Sequence, residues 1–166
     1  VNRSILLVLA LSLAAPAVAG CAGRAKKTEN FMASVRGYNE GVKWHRFTRA
    51  AKHLTRQERT PFLRERAELE KELRIVEWEI LEVEYAGAQR RAADVRVRYT
   101  WHLDREGIVH ETTATQTWEL RGKRWIMAEE VRVLGPEMPG VAEPPPDREG
   151  EADAELEPAA TPISAR

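Results

Sequence analysis

The chain has 166 residues, 26 Lys and Arg balanced by 26 Asp and Glu, and one cysteine. That length holds one domain plus appendages, the zero net charge excludes wholesale binding to nucleic acid or acidic polymers, and a lone cysteine excludes an internal disulfide. The charge is uneven: residues 21–134 carry 23 cations and 18 anions, whereas residues 135–166 carry 2 and 8, so a mildly basic body bears an acidic tail.

Residues 1–20 have one early cation, Arg3, then the apolar run Ile5 to Ala14, then small residues, which is the layout of an export signal. The run is too short for a spanning helix. Val18-Ala19-Gly20-Cys21 resembles the lipobox of bacterial lipoproteins. The resemblance implies cleavage between Gly20 and Cys21 and acylation of Cys21, with residues 21–28 as a lipidated linker. Several acyl chains hold firmly, since each buried methylene adds ~0.8 kcal/mol, while a single chain is marginal. Arg24, Lys26 and Lys27 either lie against anionic head groups or form a solvated linker. With Ala22 after the lipidated residue, the family's sorting rule implies an outer-membrane anchor and a domain facing the periplasm.

Phe31, Val35, Tyr38 and Val42 recur at spacings of 4, 3 and 4, which predicts one buried face of a helix from Glu29 to Lys43. Trp44, Phe47, Ala51 and Leu54 predict a second helix with an aromatic-rich core face, leaving His45 and His53 off that face as solvated residues and not ligands. Thr60-Pro61 reads as an N-cap followed by proline in the first turn. Phe62, Arg66, Leu69 and Leu73 then share a stripe, and Arg66 with Glu70 is a helical charge pair.

From Arg74 the period changes to two. Val76, Trp78 and Ile80 share one parity and Leu81, Val83 and Tyr85 the other, which predicts a strand to Tyr85 with a β-bulge near Ile80 and Leu81. Val95, Val97, Tyr99, Trp101 and Leu103 alternate with polar residues as half-buried antiparallel sheet does. Asp104-Arg105-Glu106-Gly107 turns that strand into the next. A two-residue loop at Arg121-Gly122 would set Trp118 opposite Trp125, Gln116 opposite Met127 and Ala114 opposite Glu129, and pair Glu119 with Arg124 and Glu111 with Arg132.

Three helices followed by four antiparallel strands resemble the NTF2-like (SnoaL-like) superfamily of cone-shaped α+β domains. The resemblance covers residues 29–134 and rests on Tyr38-Asn39-Glu40-Gly41-Val42-Lys43-Trp44 with Phe47, and on the hairpin Trp118-Glu119-Leu120-Arg121-Gly122-Lys123-Arg124-Trp125. It implies a curved four-stranded sheet covered by helices. It leaves activity open, because one fold serves many functions. Residues 135–166, rich in proline and acid with little to bury, are expected to be a disordered tail, solubilising or partner-binding.

The predicted core face also carries polar residues. Tyr38, Tyr99, Trp101, His110, Thr112, Gln116 and Glu129 make up the candidate pocket, with Glu129 as the acid or base and His110 as its proton partner. The bland account is that such groups satisfy one another. No catalytic residue, metal site or cofactor is assigned: the four histidines show no ligand spacing, and Cys21 is committed to lipid. The leading expectation is a non-catalytic envelope lipoprotein that binds a small ligand or a protein partner. Its partners are then the membrane through Cys21, that ligand or an envelope protein, and a second copy of the chain in a homodimer through its sheet, with no nucleic acid. An isomerase- or dehydratase-type enzyme and an adaptor presenting the acidic tail are the alternatives.

The lipidation expectation has a direct check. Mass spectrometry of the membrane fraction should yield an acylated N-terminal peptide beginning at Cys21, and Cys21→Ser should be unprocessed or lose its anchor; a mature chain beginning elsewhere and unmodified would refute it.

Overall fold

The computed structural model describes residues 19–145, with side chains from Asn30 to Pro145. The described chain is α+β. Helix α1 (Ala19–Lys43), α2 (Phe47–Ala50) with a 3-10 turn (Ala51–His53), and α3 (Arg59–Leu69) precede β1 (Leu73–Ala86), β2 (Ala92–Leu103), β3 (Val109–Arg121) and β4 (Arg124–Leu134). The strands form one antiparallel sheet in the order β1-β2-β3-β4. Among the described residues no helix is long and apolar enough to cross a membrane.

Helix α1 begins ten residues before the expected start, because Ala22, Ala25, Lys26 and Lys27 are good helix formers that outweigh Gly20 and Gly23 and no proline interrupts the run. Gly20 and Cys21 lie in its first turns; their side chains, residues 1–18 and residues 146–166 fall outside the described part. Its apolar face is the expected one: Phe31, Val35, Tyr38 and Val42 are buried. The helix ends in a Schellman motif, with the Arg46 amide donating to Gly41 O at 2.7 Å, the His45 amide to Val42 O at 3.2 Å, and His45 in the left-handed region at φ 54°. That reversal swings Trp44 outward. It is 58% exposed, so the expected core face of the second helix is corrected to Ala50, Ala51, Leu54 and the half-buried Phe47.

Two glycines let the returning segment lie against α1. A Cβ on Gly41 would stand 2.9 Å from the Ala50 amide nitrogen, and one on Gly37 would stand 2.9 Å from His53 Nε2. His53 is therefore not solvated as expected but half-buried, its ring edge-on to Trp118 at 6.1 Å. Helix α3 has Glu58 as its N-cap, not Thr60, and the turn before it is closed by a reciprocal pair: the Thr55 amide donates to the Glu58 carboxylate at 3.1 Å, and the Glu58 amide lies 3.4 Å from Thr55 Oγ1.

In the sheet, Val95, Val97, Tyr99, Trp101 and Leu103 face the helices and are buried. The predicted bulge in β1 lies between Ile80 and Glu82, and a second lies between Ile75 and Glu77. Together they keep Ile75, Trp78, Ile80, Val83 and Tyr85 on the inner side. The outer face is polar, with Arg96–Glu82 at 3.2 Å and an Arg98–Glu79 pair across β1 and β2.

The β3–β4 register departs from expectation. Gly122 and Lys123 make the loop, Gly122 at φ 65° as the first central residue, where a type II′ turn requires positive φ. Leu120 therefore faces Trp125 and Trp118 faces Met127. A slip of two residues preserves the face, so Trp118 and Trp125 both stay in the core but as diagonal neighbours. The couples Glu119–Arg124 and Glu111–Arg132 do not form: Glu119 bonds Arg121, and Arg132 binds Glu143. A bulge then interrupts β4 at Ala128.

The packed chain also runs past the expected boundary at 134. Residues 136–143 return along β4: Ala142 pairs in parallel with Val131, the Arg132 amide donates to Ala142 O at 2.8 Å, and Met138 and Val141 are buried. Two apolar residues among the prolines suffice, because the free edge of β4 offers unpaired backbone groups.

Trp118 meets Phe31 edge-on at 6.1 Å, and Phe31 lies 4.6 Å from Trp125, so these rings are the centre of the core. Trp118→Ala and Trp125→Ala should each cost about 3–5 kcal/mol in denaturant titration. Trp44→Ala should cost less than about 1 kcal/mol; equal losses at all three positions would contradict this packing.

Candidate functional site

The bulge at Ala128 decides which of two neighbouring glutamates faces inward. Before it Trp118 pairs with Met127, after it Thr117 pairs with Glu129 and Gln116 with Glu130, so the alternation of β4 changes phase. Glu129 is consequently exposed, and its expected place in the pocket is corrected to Glu130.

Three elements deliver donors to the Glu130 carboxylate. Tyr38 of α1 donates to Oε2 at 2.9 Å, Tyr99 of β2 lies 2.6 Å from Oε1, and Gln116 Nε2 of β3 lies 2.8 Å from the same oxygen. Asn39, buried beside Tyr38, completes the network: its Nδ2 donates to Val35 O at 2.9 Å, and its Oδ1 accepts from Gln116 Nε2 at 2.9 Å. Trp118 Nε1 donates to Gln116 Oε1 at 3.2 Å, which fixes the orientation of the amide. Tyr99 has one hydroxyl proton and two acceptors, Glu130 Oε1 and, at 2.5 Å, Asn39 Oδ1. Its proton serves one of them at a time.

Burial, and after it the charge of Glu130, push both tyrosine hydroxyls well above the ordinary 10.0, while Arg66 acts in the opposite direction. At neutral pH both are neutral donors. Arg66 itself is only 3% exposed, with Nη2 donating to Gly140 O at 2.7 Å and the guanidinium 5.2 Å from the Phe62 ring centre. It does not pair with Glu70 as expected. Its Nε is buried without a hydrogen-bond partner, a state that buried donors rarely keep.

An open groove of about 830 Å³ passes this cluster, between α3, the second half of β4 and the returning segment. Tyr38, Arg66 and Glu130 contribute polar lining, and Leu54, Phe62, Leu69, Met127 and Val141 contribute apolar lining.

The chain matches no protein-family model and no curated protein. Of the residues expected in the pocket, Tyr38, Tyr99 and Gln116 meet at Glu130. Trp101, His110 and Thr112 form a separate chain: His110 packs tilted against Trp101 at 4.7 Å, Trp101 Nε1 donates to Thr112 Oγ1 at 2.9 Å, and Thr112 Oγ1 donates to Pro136 O at 2.8 Å. His110 thus lies beside Glu106, at 3.8 Å, and shares no proton with a pocket carboxylate. Asn39, Arg66 and Glu130 were missed; a cation on the apolar stripe of Phe62 and Leu69 is the one visible signal. Among the described residues no group of three or more His, Cys, Asp or Glu side chains could hold a metal ion.

Two measurements check the network. Glu130→Ala removes the acceptor of Tyr38 and leaves Tyr99 and Gln116 to share Asn39 Oδ1, and should cost about 1–3 kcal/mol for the Tyr38 donor left unpaired, while Glu129→Ala should stay within about 0.5 kcal/mol. Because Tyr38 and Tyr99 titrate higher folded than unfolded, the stability they contribute is complete below pH 10 and is lost as pH rises from there through their folded values. Ultraviolet titration should accordingly show two of the three tyrosines ionising only as the protein unfolds.

Proposed function

We propose that the chain is a membrane-anchored envelope lipoprotein whose NTF2-like domain binds a small ligand in the groove beside Glu130, without catalysis. The observation that carries the binding reading is that a carboxylate accepting three hydrogen bonds, Glu130, and a guanidinium, Arg66, both line one open groove with apolar walls. A mostly apolar wall with a few convergent polar groups is the usual composition of a small-molecule site. The ligand that fits has an apolar body for Phe62, Leu69 and Met127 and a head bearing an acceptor oxygen for Arg66. The α+β order, with a twice-bulged first strand, supports the NTF2-like reading, and the lipobox-like residues before Cys21 support the anchor.

A second reading, an enzyme of the same fold, has one observation in its favour. Tyr99 shares its proton between Asn39 and Glu130, an arrangement in which Glu130 can accept a proton from a bound molecule while Tyr99 turns to Asn39.

A fragment library screened by two-dimensional NMR tests the binding reading. Hits should shift the amides of Phe62, Leu69, Met127 and Glu130, and Glu130→Gln and Arg66→Met should each weaken them at least tenfold. Hits that bind both variants as well as the parent, or that map only elsewhere, would refute the site.

A further inference from the structure

A second depression, of about 790 Å³ and sharing no lining residue with the groove, lies over the segment that follows α1. Arg46, Arg49 and Lys52 recur every third residue through α2 and the 3-10 turn, a spacing that brings side chains to one side of a helical turn. Arg124, from the start of β4, reaches the same place and donates Nη2 to Lys52 O. Thr48 and the half-buried His53 complete the wall. No carboxylate lines the depression, and none of these four cations forms an ion pair among the described residues. Glu70 engages His45, one of the lining residues, at 3.5 Å.

Four unneutralised cations from two distant parts of the chain repel one another, and the outer face of the sheet shows the usual remedy, Arg96 with Glu82 and Arg98 with Glu79. Here no remedy is built in. The repulsion is felt at His53, whose imidazole is held below its ordinary 6.5 by burial first and then by Arg124, Arg49 and Lys52. An anion with several acceptor oxygens relieves that repulsion and uses the guanidinium forks of Arg46, Arg49 and Arg124 and the Thr48 hydroxyl.

We propose that this depression is a phosphate-binding site, formed by Arg46, Arg49, Lys52 and Arg124 with Thr48 and His53. The phosphate belongs either to a free phosphate compound or to an anionic phospholipid head group, and the two sources share this chemistry. The site is independent of the groove beside Glu130.

The test uses the full chain carrying Cys21→Ser, so that flotation does not report an acyl anchor, at constant ionic strength. Inorganic phosphate and pyrophosphate are titrated while the His53 ring proton is followed by NMR, and flotation is measured with vesicles of phosphatidylcholine alone or mixed with phosphatidylglycerol. Saturable phosphate or pyrophosphate binding that raises the His53 titration midpoint, reduced at least tenfold in the R49Q/K52Q double variant, identifies a free phosphate site. Flotation that needs phosphatidylglycerol and falls at least tenfold in R49Q/K52Q, without saturable phosphate binding, identifies the head group. R46Q provides a second variant, and the denaturation midpoint of each variant establishes that it is folded. Absence of both responses in the parent chain, or responses unchanged in folded R49Q/K52Q and R46Q, overturns the proposal.

Discussion

Glu130 binds α1, β2 and β3 to β4 through one carboxylate. Tyr38, Tyr99 and Gln116 each bring a donor from a different element; Tyr99 and Gln116 could fall back on Asn39 Oδ1, but Tyr38 would lose its acceptor if the carboxylate turned away. Because a buried donor without an acceptor costs more than its hydrogen bond gains, the network constrains how the helix lies on the sheet. The aromatic core around Phe31, Trp118 and Trp125 supplies the bulk of the burial, but apolar contact alone is not directional. The polar cluster fixes the alignment that the core leaves free.

The helical half shows a second constraint, that of distance. Gly37 and Gly41 present bare backbone to His53 and Ala50, so the segment after α1 doubles back in direct contact with it. The same reversal places His45 in a conformation that glycine usually occupies and puts Trp44 outside, where its indole N–H bonds Glu40 at 2.6 Å. Glu40 also accepts from Trp78 of β1 at 3.2 Å, so one exposed carboxylate ties the end of α1 to the sheet.

Much of this was legible in the sequence, and the errors share a cause. Helical spacings of three and four and strand spacings of two located the buried face of α1, the inner face of β2 and the first-strand bulge, because those residues repeat over several turns or several alternations. Trp44 was misplaced because the pattern continued through a chain reversal carried by His45, a residue that does not announce positive φ. The β3–β4 register was misplaced by two because charge pairing favoured Arg121-Gly122 as the loop, while the turn needed Gly122 in its first central position. Glu129 was chosen over Glu130 because a single-residue bulge leaves no mark in a stretch reading Met-Ala-Glu-Glu. Arg66 was visible on its stripe, but its role depends on Gly140, 74 residues away.

The segment 136–143 gives β4 a neighbour on what would otherwise be an open rim, and it does so with backbone bonds, two buried side chains and the Arg132–Glu143 pair. A cut between Leu134 and Met138 would therefore bare a strand able to recruit another chain and would strip Gly140 from Arg66. The integrity of the domain is thus set several residues beyond its last long strand, and trimming there would turn a capped sheet into an adhesive one.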